Sequence, residues 1–397
     1  MRRVFVTGTG VVSALGIGVE ENLDKLRNGE SGIGDAHHFT SRYTSILPFG
    51  EVDLSNEELV KLTNCSDEIG VSRTTLLAYL AFEQAIVESN LSNDELKSIK
   101  TGIISSTTVG GMCHTDELYT DANLKGEPSV YVRSYGLGEH TTRLIKKFEI
   151  GGFSSTINTA CSSSANAVML GARLIKSGRI DRVIVGGSDA LAKFTVNGFN
   201  ALMILSENPC KPFDKNRDGL TLGEGAGYLV LEAEDVCKNK TKLAEVVGYG
   251  NSNDAFHPST TSDEAFGPRF AMQRALDSCQ MNASEIDYIN AHGTGTVNND
   301  ETELFAFHEI FGNIPPFNST KSYTGHTLAA SGAIESIFSI GMMNKNELCP
   351  NLRCNEPLDT FGTPQILSLK TDVEVKNIMT NSFGFGGNCT SVIYSKV

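Results

Sequence analysis

Apolar and polar positions follow two alternating patterns along the chain. The stretches "RRVFVTG", "TGIISST", "SSTINTA" and "DRVIVGGSDA" are short, rich in β-branched residues and bounded by Gly, Ser or Asp, as strands are. Between them lie helical patterns such as "TLLAYLAFEQAI" and "CSSSANAVMLGARLIKSG". In the second of these Ala167, Leu170, Leu174 and Ile175 share one helical face, and Gly178 is a natural stop. Strands alternating with helices predict an α/β fold. A second cycle opens near Lys242: "KLAEVVGYG", "RFAMQRALDSC", "DYINAHG", "PPFNSTKSYTGH", "TLAASGAIESIFSIGMM". Each cycle runs from a strand to a residue able to do chemistry and then to a helix of Ala, Ser and Gly. Cys161 opens that helix in the first cycle and His326 in the second. The chain therefore divides into two weakly similar halves, residues 1–241 and 242–397, that face one site.

At 397 residues the chain can bury a large core. Its formal charge of −14 argues against nucleic acid as a partner. No run approaches the roughly 18 apolar residues of a membrane span. The opening "MRRVFVTGTGVVS" makes a poor signal peptide, because Thr7-Gly8-Thr9-Gly10 interrupts it. It also fails the dinucleotide fingerprint, with Ser13 where the third glycine belongs. The nine cysteines are scattered with no C-x-x-C pair, so neither a disulfide framework nor a zinc site is expected. Reduced thiols and a cytoplasmic location follow.

Cys161 sits where "STINT" ends and the small-residue helix begins. At the first turn, unpaired N–H groups and the helix dipole favour a thiolate and offer an oxyanion site. The other fate of such a cysteine is burial as a packing residue. His292 ends an apolar strand and precedes Gly293, Thr294, Gly295 and Thr296, with Asp300 and Glu303 close behind. His326 follows Lys321 by five residues; beside a helix N-terminus it is expected to stay neutral and to donate one hydrogen bond. In "NSFGFGGNCTSVIY", Gly384, Gly386 and Gly387 surround Phe385 and describe a backbone that approaches something closely. The loop "CKPFDKNRDGLTLGEGAGYLVLE" reads as mainly structural.

Taken in order, "VFVTGTGVVSALG", "TACSSS", "PFDKNRDG", "GEGAG", "NAHGTGT", "KSYTGH" and "NSFGFGG" resemble the β-ketoacyl-acyl carrier protein synthases. The likeness is to the elongating type I/II branch of the thiolase-fold condensing enzymes. It implies a five-layered αβαβα fold of two duplicated halves. It also implies a dimer, of two like chains or of this chain with a related subunit. By motif, Cys161 is the acyl-accepting nucleophile and His292 and His326 complete a Cys-His-His site. Lys321 and Glu335 belong to the supporting polar network, joined by Thr294, Thr296, Asp300 and Glu303. Phe385 is the gate, and its N–H joins that of Cys161 in the oxyanion hole. Val109 and Tyr131 match acyl-pocket positions, Tyr131 reaching in from the partner subunit. Lys125 and Lys211 match positions that dock an acyl carrier protein. Asp67 and Glu68 stand where fatty-acid members carry basic residues, which leaves fatty-acid and polyene or polyketide elongation both open.

The implied reaction condenses an acyl-enzyme thioester with malonyl-carrier protein, without a metal or other cofactor. Cys389 follows the glycine run rather than preceding it, as the second catalytic cysteine of thiolases does, and reads as packing. A non-elongating partner subunit on the same fold would lack the nucleophile. A cysteine thioester hydrolase would need an acid to orient its base. A starter-type synthase would carry asparagine in place of His326.

Overall fold

Strand order explains how two distant stretches of sequence meet. A computed structural model describes residues 2–362 and 364–397. The first run of strands is β1 (Val4–Ser13), the short β2 (Gly16–Ile17), β3 (Thr101–Ser106), β4 (Ser154–Ile157), β5 (Arg182–Asp189) and β6 (Gly225–Ala233). The second is β7 (Ala244–Asn253), β8 (Tyr288–Asn290), β9 (Phe317–Asn318), β10 (Asn377–Gly384) and β11 (Asn388–Ser395). Leaving aside β2, which only pairs with β1, the order is β4-β3-β5-β6-β1 and then β7-β11-β10-β8-β9. Read inward from each edge, the two runs have the same order. The pairings match as well: β3 is parallel to β4 and β5 as β8 is to β9 and β10, and all remaining pairs within each run are antiparallel. A short antiparallel contact, Phe5 with Glu245 and Val6 with Ala244, joins them.

Six helices position the site: α1 (Arg73–Ser89), α2 (Ser163–Lys176), α3 (Lys193–Ala201), α4 (Phe266–Cys279), α5 (Val297–Phe311) and α6 (Ser331–Lys345). Helix α1 packs on β1, β5 and β6, and α4 packs on β7 and β11. Helices α2 and α6 lie between the strand runs and touch each other. The layers are therefore α1, sheet, α2 with α6, sheet, α4, which is the five-layered sandwich. A buried helix needs no polar face, and α6 is buried almost all round. Ile334 and Ile337 are each 1% exposed, and truncating either to Ala is expected to cost about 2–5 kcal/mol. Close helix approach explains Gly332, where a Cβ would come within 2.9 Å of the Ala165 nitrogen.

The structure adjusts three local expectations. Helix α2 begins at Ser163 with Ser162 as its cap, so Cys161 stands just before the helix. His326 does not open α6: it pairs with Leu222 in an isolated bridge, a 3₁₀ turn over Leu328–Ala330 follows, and the helix starts at Ser331. Most of "NSFGFGGNCTSVIY" is strand, with only Phe385–Gly387 forming the turn between β10 and β11.

Candidate active site

Cys161 is presented by a sharp bend. Ala160 has φ +53°, a left-handed conformation costly for a residue with a Cβ. Beside it, Gly384 leaves room for close passage, since a Cβ there would lie 2.9 Å from the Cys161 nitrogen and 3.0 Å from the Thr159 oxygen. The second left-handed residue of interest, Leu328 at φ +52°, follows His326. The two bends bring Nε2 of His326 within 3.1 Å of Sγ of Cys161.

The histidine tautomers can be assigned from their partners. The Leu328 N–H donates to Nδ1 of His326 over 3.2 Å, and the Ser331 hydroxyl lies 3.0 Å from the same atom. A neutral imidazole whose Nδ1 accepts carries its proton on Nε2, so Nε2–H faces the sulfur. Lys321 does the same for His292: its ammonium donates to Nδ1 (3.3 Å), to the His292 carbonyl (2.6 Å) and to Glu335 Oε1 (2.5 Å). The two rings stand edge to face with centroids 5.4 Å apart. Burial, then the Lys321 charge, holds both well below the usual histidine range, and for His292 the neighbouring His326 adds to this. Both are therefore neutral donors. The expectation of neutrality holds, but burial is the principal cause rather than a helix dipole.

The thiol departs from expectation in the same way. Burial pushes Cys161 up to about 11, against the lowering effects of the Phe385 N–H, Lys321 and its own N–H. A site just outside the helix cap, in a residue that is only 6% exposed, gives desolvation the larger effect. The resting residue is a thiol.

Glu335 is pushed up to about 7 by burial, with Lys321 opposing, and its Oε2 has no hydrogen-bond partner among the described residues. The 292–296 turn is pinned from α5. Glu303 accepts from the N–H groups of His292 (2.7 Å) and Gly293 (2.8 Å). Asp300 accepts from Phe213 and Gly295 and lies 3.7 Å from Arg217. Thr294 and Thr296 bond each other at 2.9 Å and line the cavity above the cysteine. One donor atom from each of Cys161, His292 and His326 lies within 4.8 Å of the others. A metal bound at Nε2 would move each ring proton to Nδ1, against the Leu328 N–H and the Lys321 ammonium, so this donor set does not suit an ion.

Two cavities meet at Cys161. One, of about 270 Å³, is lined by His292, His326, Thr294, Thr296 and the Gly384–Gly387 turn. The other, of about 390 Å³, is apolar and lined by Thr108, Met112, Phe194, Leu202 and Leu328. Phe385 and Phe199 border both and stack with centroids 5.5 Å apart. Phe199 went unnoticed in the sequence, since a phenylalanine on a helix carries no chemical signature.

Val109, Tyr131, Lys125 and Lys211 line neither of these two cavities. Val109 is buried behind the apolar chamber, and Thr108 and Met112 form its wall instead. Tyr131 stacks on His114 at 4.2 Å and does not line the chamber of its own chain. Lys125 is exposed and forms an ion pair with Asp121 at 2.7 Å. Lys211 is half-buried beside Gly295. Cys389 lines the first cavity, yet burial and nearby Asp254 and Glu303 push its thiol well above the usual range, in keeping with a packing role. No helix among the described residues is long and apolar enough to cross a membrane.

A doubled sheet whose halves contribute a cysteine and two neutral imidazoles to one seam defines a thiolase-like enzyme fold. Family models for the N-terminal and C-terminal domains of β-ketoacyl synthase match residues 1–236 and 243–355, and the chain belongs to that family. It is 31% identical to 3-oxoacyl-[acyl-carrier-protein] synthase 2 of Coxiella burnetii, over all of this chain and 99% of that one. It is 32% identical to the protein of the same name from Rhizobium meliloti, over 99% and 98% of the two chains. Among solved structures, the ishigamide ketosynthase/chain length factor matches with a TM-score of 0.92 and 30% identity, covering 100% and 99% of the two chains. A type II polyketide ketosynthase in complex with its acyl-carrier protein and bound to a hexaketide matches at 0.87 and 27%, with both chains fully covered.

Proposed function

We propose that this protein is an acyltransferase that condenses a Cys161-bound acyl group with malonyl-acyl carrier protein, releasing CO₂ and a β-ketoacyl-carrier product. The observation that carries the reading is the pair of fixed tautomers, which places two neutral Nε2–H donors in the cavity beside one thiol.

In the first half-reaction the Cys161 sulfur attacks the carrier-bound thioester. The N–H groups of Cys161 and Phe385 stabilise the oxyanion, and the cysteine proton leaves with the departing carrier thiol. The acyl chain lies in the apolar chamber behind Phe385 and Phe199. In the second, the malonyl thioester carbonyl sits between His292 and His326. Loss of CO₂ places negative charge on that oxygen, which both donors stabilise in a water-poor site. The enolate carbon attacks the acyl carbonyl and the thiolate of Cys161 departs, to be reprotonated.

The partners proposed are an acyl carrier protein and a second ketosynthase-fold subunit, alike or related, as in the relatives described above. A cytoplasmic location accords with nine cysteines that are all free. The elongated chain belongs to fatty-acid or polyketide synthesis. The test is intact-mass analysis of the carrier protein after incubation with acyl primers and malonyl-carrier protein. A product heavier by one two-carbon β-keto unit is expected. Free acid without a longer carrier product would identify a hydrolase and overturn the proposal.

A further inference from the structure

Met112 stands between two cavities of opposite character. On one side is the apolar chamber of about 390 Å³ behind Cys161, and on the other a polar chamber of about 430 Å³. Met112 lines both, so displacing its side chain would join them. A methionine suits such a wall, since its unbranched thioether repacks easily. The preceding turn has Gly110 at φ +53° and leads into a short 3₁₀ segment, Met112–His114.

The walls of the polar chamber narrow the chemistry it accepts. Its inner charges, Arg73 and Glu224, are spent on each other at 2.7 Å, and at the exposed rim Lys193 pairs with Asp116 at 2.5 Å. At the rim, Glu57 is exposed and would repel an anion. His114 lies against Val71, 3.4 Å from its ring Nε2 to the carbonyl oxygen, which directs the Nε2 proton there and leaves Nδ1 with a lone pair, the exposed Glu117 carboxylate lying 3.9 Å from it, beyond hydrogen-bond distance. Burial lowers the proton affinity of this ring, so it is neutral. An alkyl end placed here would strip water from polar groups without replacing their hydrogen bonds, and a carboxylate would meet Glu57 and Glu117 at the rim, with only the already paired Lys193 to offset them.

We propose that the growing acyl chain passes Met112 and that its far end, carrying an uncharged oxygen such as a hydroxyl, is received in the polar chamber, with the His114 Nδ1 as an acceptor. This rests on the acylation of Cys161 proposed above. Met112 and His114 then set which chains are elongated without taking part in the chemistry.

The experiment compares condensation rates, read by mass spectrometry of the carrier product, for butyryl, dodecanoyl, 12-hydroxydodecanoyl and 11-carboxyundecanoyl primers. Wild type, Met112→Trp, Met112→Ala and His114→Leu are used, each with its melting curve recorded. Wild type should use the hydroxylated long primer roughly 3- to 10-fold faster than the plain one, the worth of one hydrogen bond, and the carboxylated one slowest. His114→Leu should erase that preference. Met112→Trp should slow the long primers far more than it slows butyryl, and Met112→Ala should speed the long ones. Equal rates for plain and hydroxylated long primers in wild type, or undiminished long-chain activity in folded Met112→Trp, would overturn the inference. A wild type inactive even with butyryl would instead bring down the proposed function.

Discussion

The backbone N–H of Leu328 lies 3.2 Å from Nδ1 of His326, two residues away, and this contact fixes the proton on the opposite nitrogen. Thr327, at φ −85° and ψ 23°, turns that N–H onto the ring, and the chain then takes a left-handed step at Leu328. Local backbone geometry thus determines which hydrogen-bonding character the imidazole shows to the substrate. The same end is reached for His292 by an ammonium rather than an amide, through Lys321.

His326→Ala should therefore damage malonyl decarboxylation more than acylation of Cys161. Removing one preorganised donor from a developing oxyanion typically costs about 10²- to 10³-fold in rate. Single-turnover measurement of the two half-reactions checks this. Equal losses would mean that the imidazole also takes the thiol proton.

Cys161→Ala should abolish acyl transfer. Peptide mapping after incubation with acyl-carrier protein should find the acyl group on Cys161. A label on Cys389, which borders the same cavity, or on Cys113 would refute the assignment.

Lys321→Met leaves Glu335 buried without its cation and His292 without its tautomer-fixing donor. A loss of about 3–5 kcal/mol in stability is expected from breaking one partner out of a buried pair. The double change Lys321→Met with Glu335→Gln should recover much of the stability and none of the decarboxylation. Denaturant melts alongside malonyl-carrier turnover separate the two effects. Recovery of activity in the double variant would show that Lys321 acts only through Glu335.

Stability should peak near pH 6.5. Burial raises Glu335 to about 7 and Glu303 to about 8, so the folded state holds protons that the unfolded chain has released, and stability falls as pH rises through those values. His292, His326 and His140, the last lowered to about 4, are buried neutral, so stability also falls as pH drops below the ordinary histidine value. Denaturant midpoints across pH 5 to 9 check the shape, and a monotonic rise towards pH 9 would contradict it.

Much of the site was legible because its chemistry is carried by residue types that stand out: a cysteine before small residues, histidines beside glycines, a lysine among hydroxyls. Strand–helix alternation predicted the α/β class, and the order of the motifs carried the family resemblance that implied the five-layered fold. What could not be read depended on backbone excursions and on solvent exclusion. "HTLAAS" has the composition of a helix start, and nothing in it reveals that Leu328 takes a left-handed step and delays the helix to Ser331. The Cys161 pKa followed from enclosure by segments far away in sequence, so an argument from the helix end alone gave the wrong sign. Lys125 follows Asp121 by one helical turn and pairs with it, a contact that the spacing of four permits but does not by itself reveal. Asp189 was a missed signal. An acid closing an apolar strand needs partners, and this one binds Thr107, Thr108, Val109 and Ala329, tying the chamber wall to the turn behind His326.

The matching strand orders also bear on how activity is lost. Cys161 belongs to one run of strands and His292, Lys321 and His326 to the other; among the described residues direct strand pairing between the runs amounts to two residue pairs on β1 and β7, and the packing of α2 against α6 supplies the rest of the joint. The reacting atoms are thus aligned by a seam, much as two mirrors are aligned by a shared mount. Gentle heating that lets the seam slip, while each sheet keeps its own ladder, is expected to silence turnover before circular dichroism registers any melting.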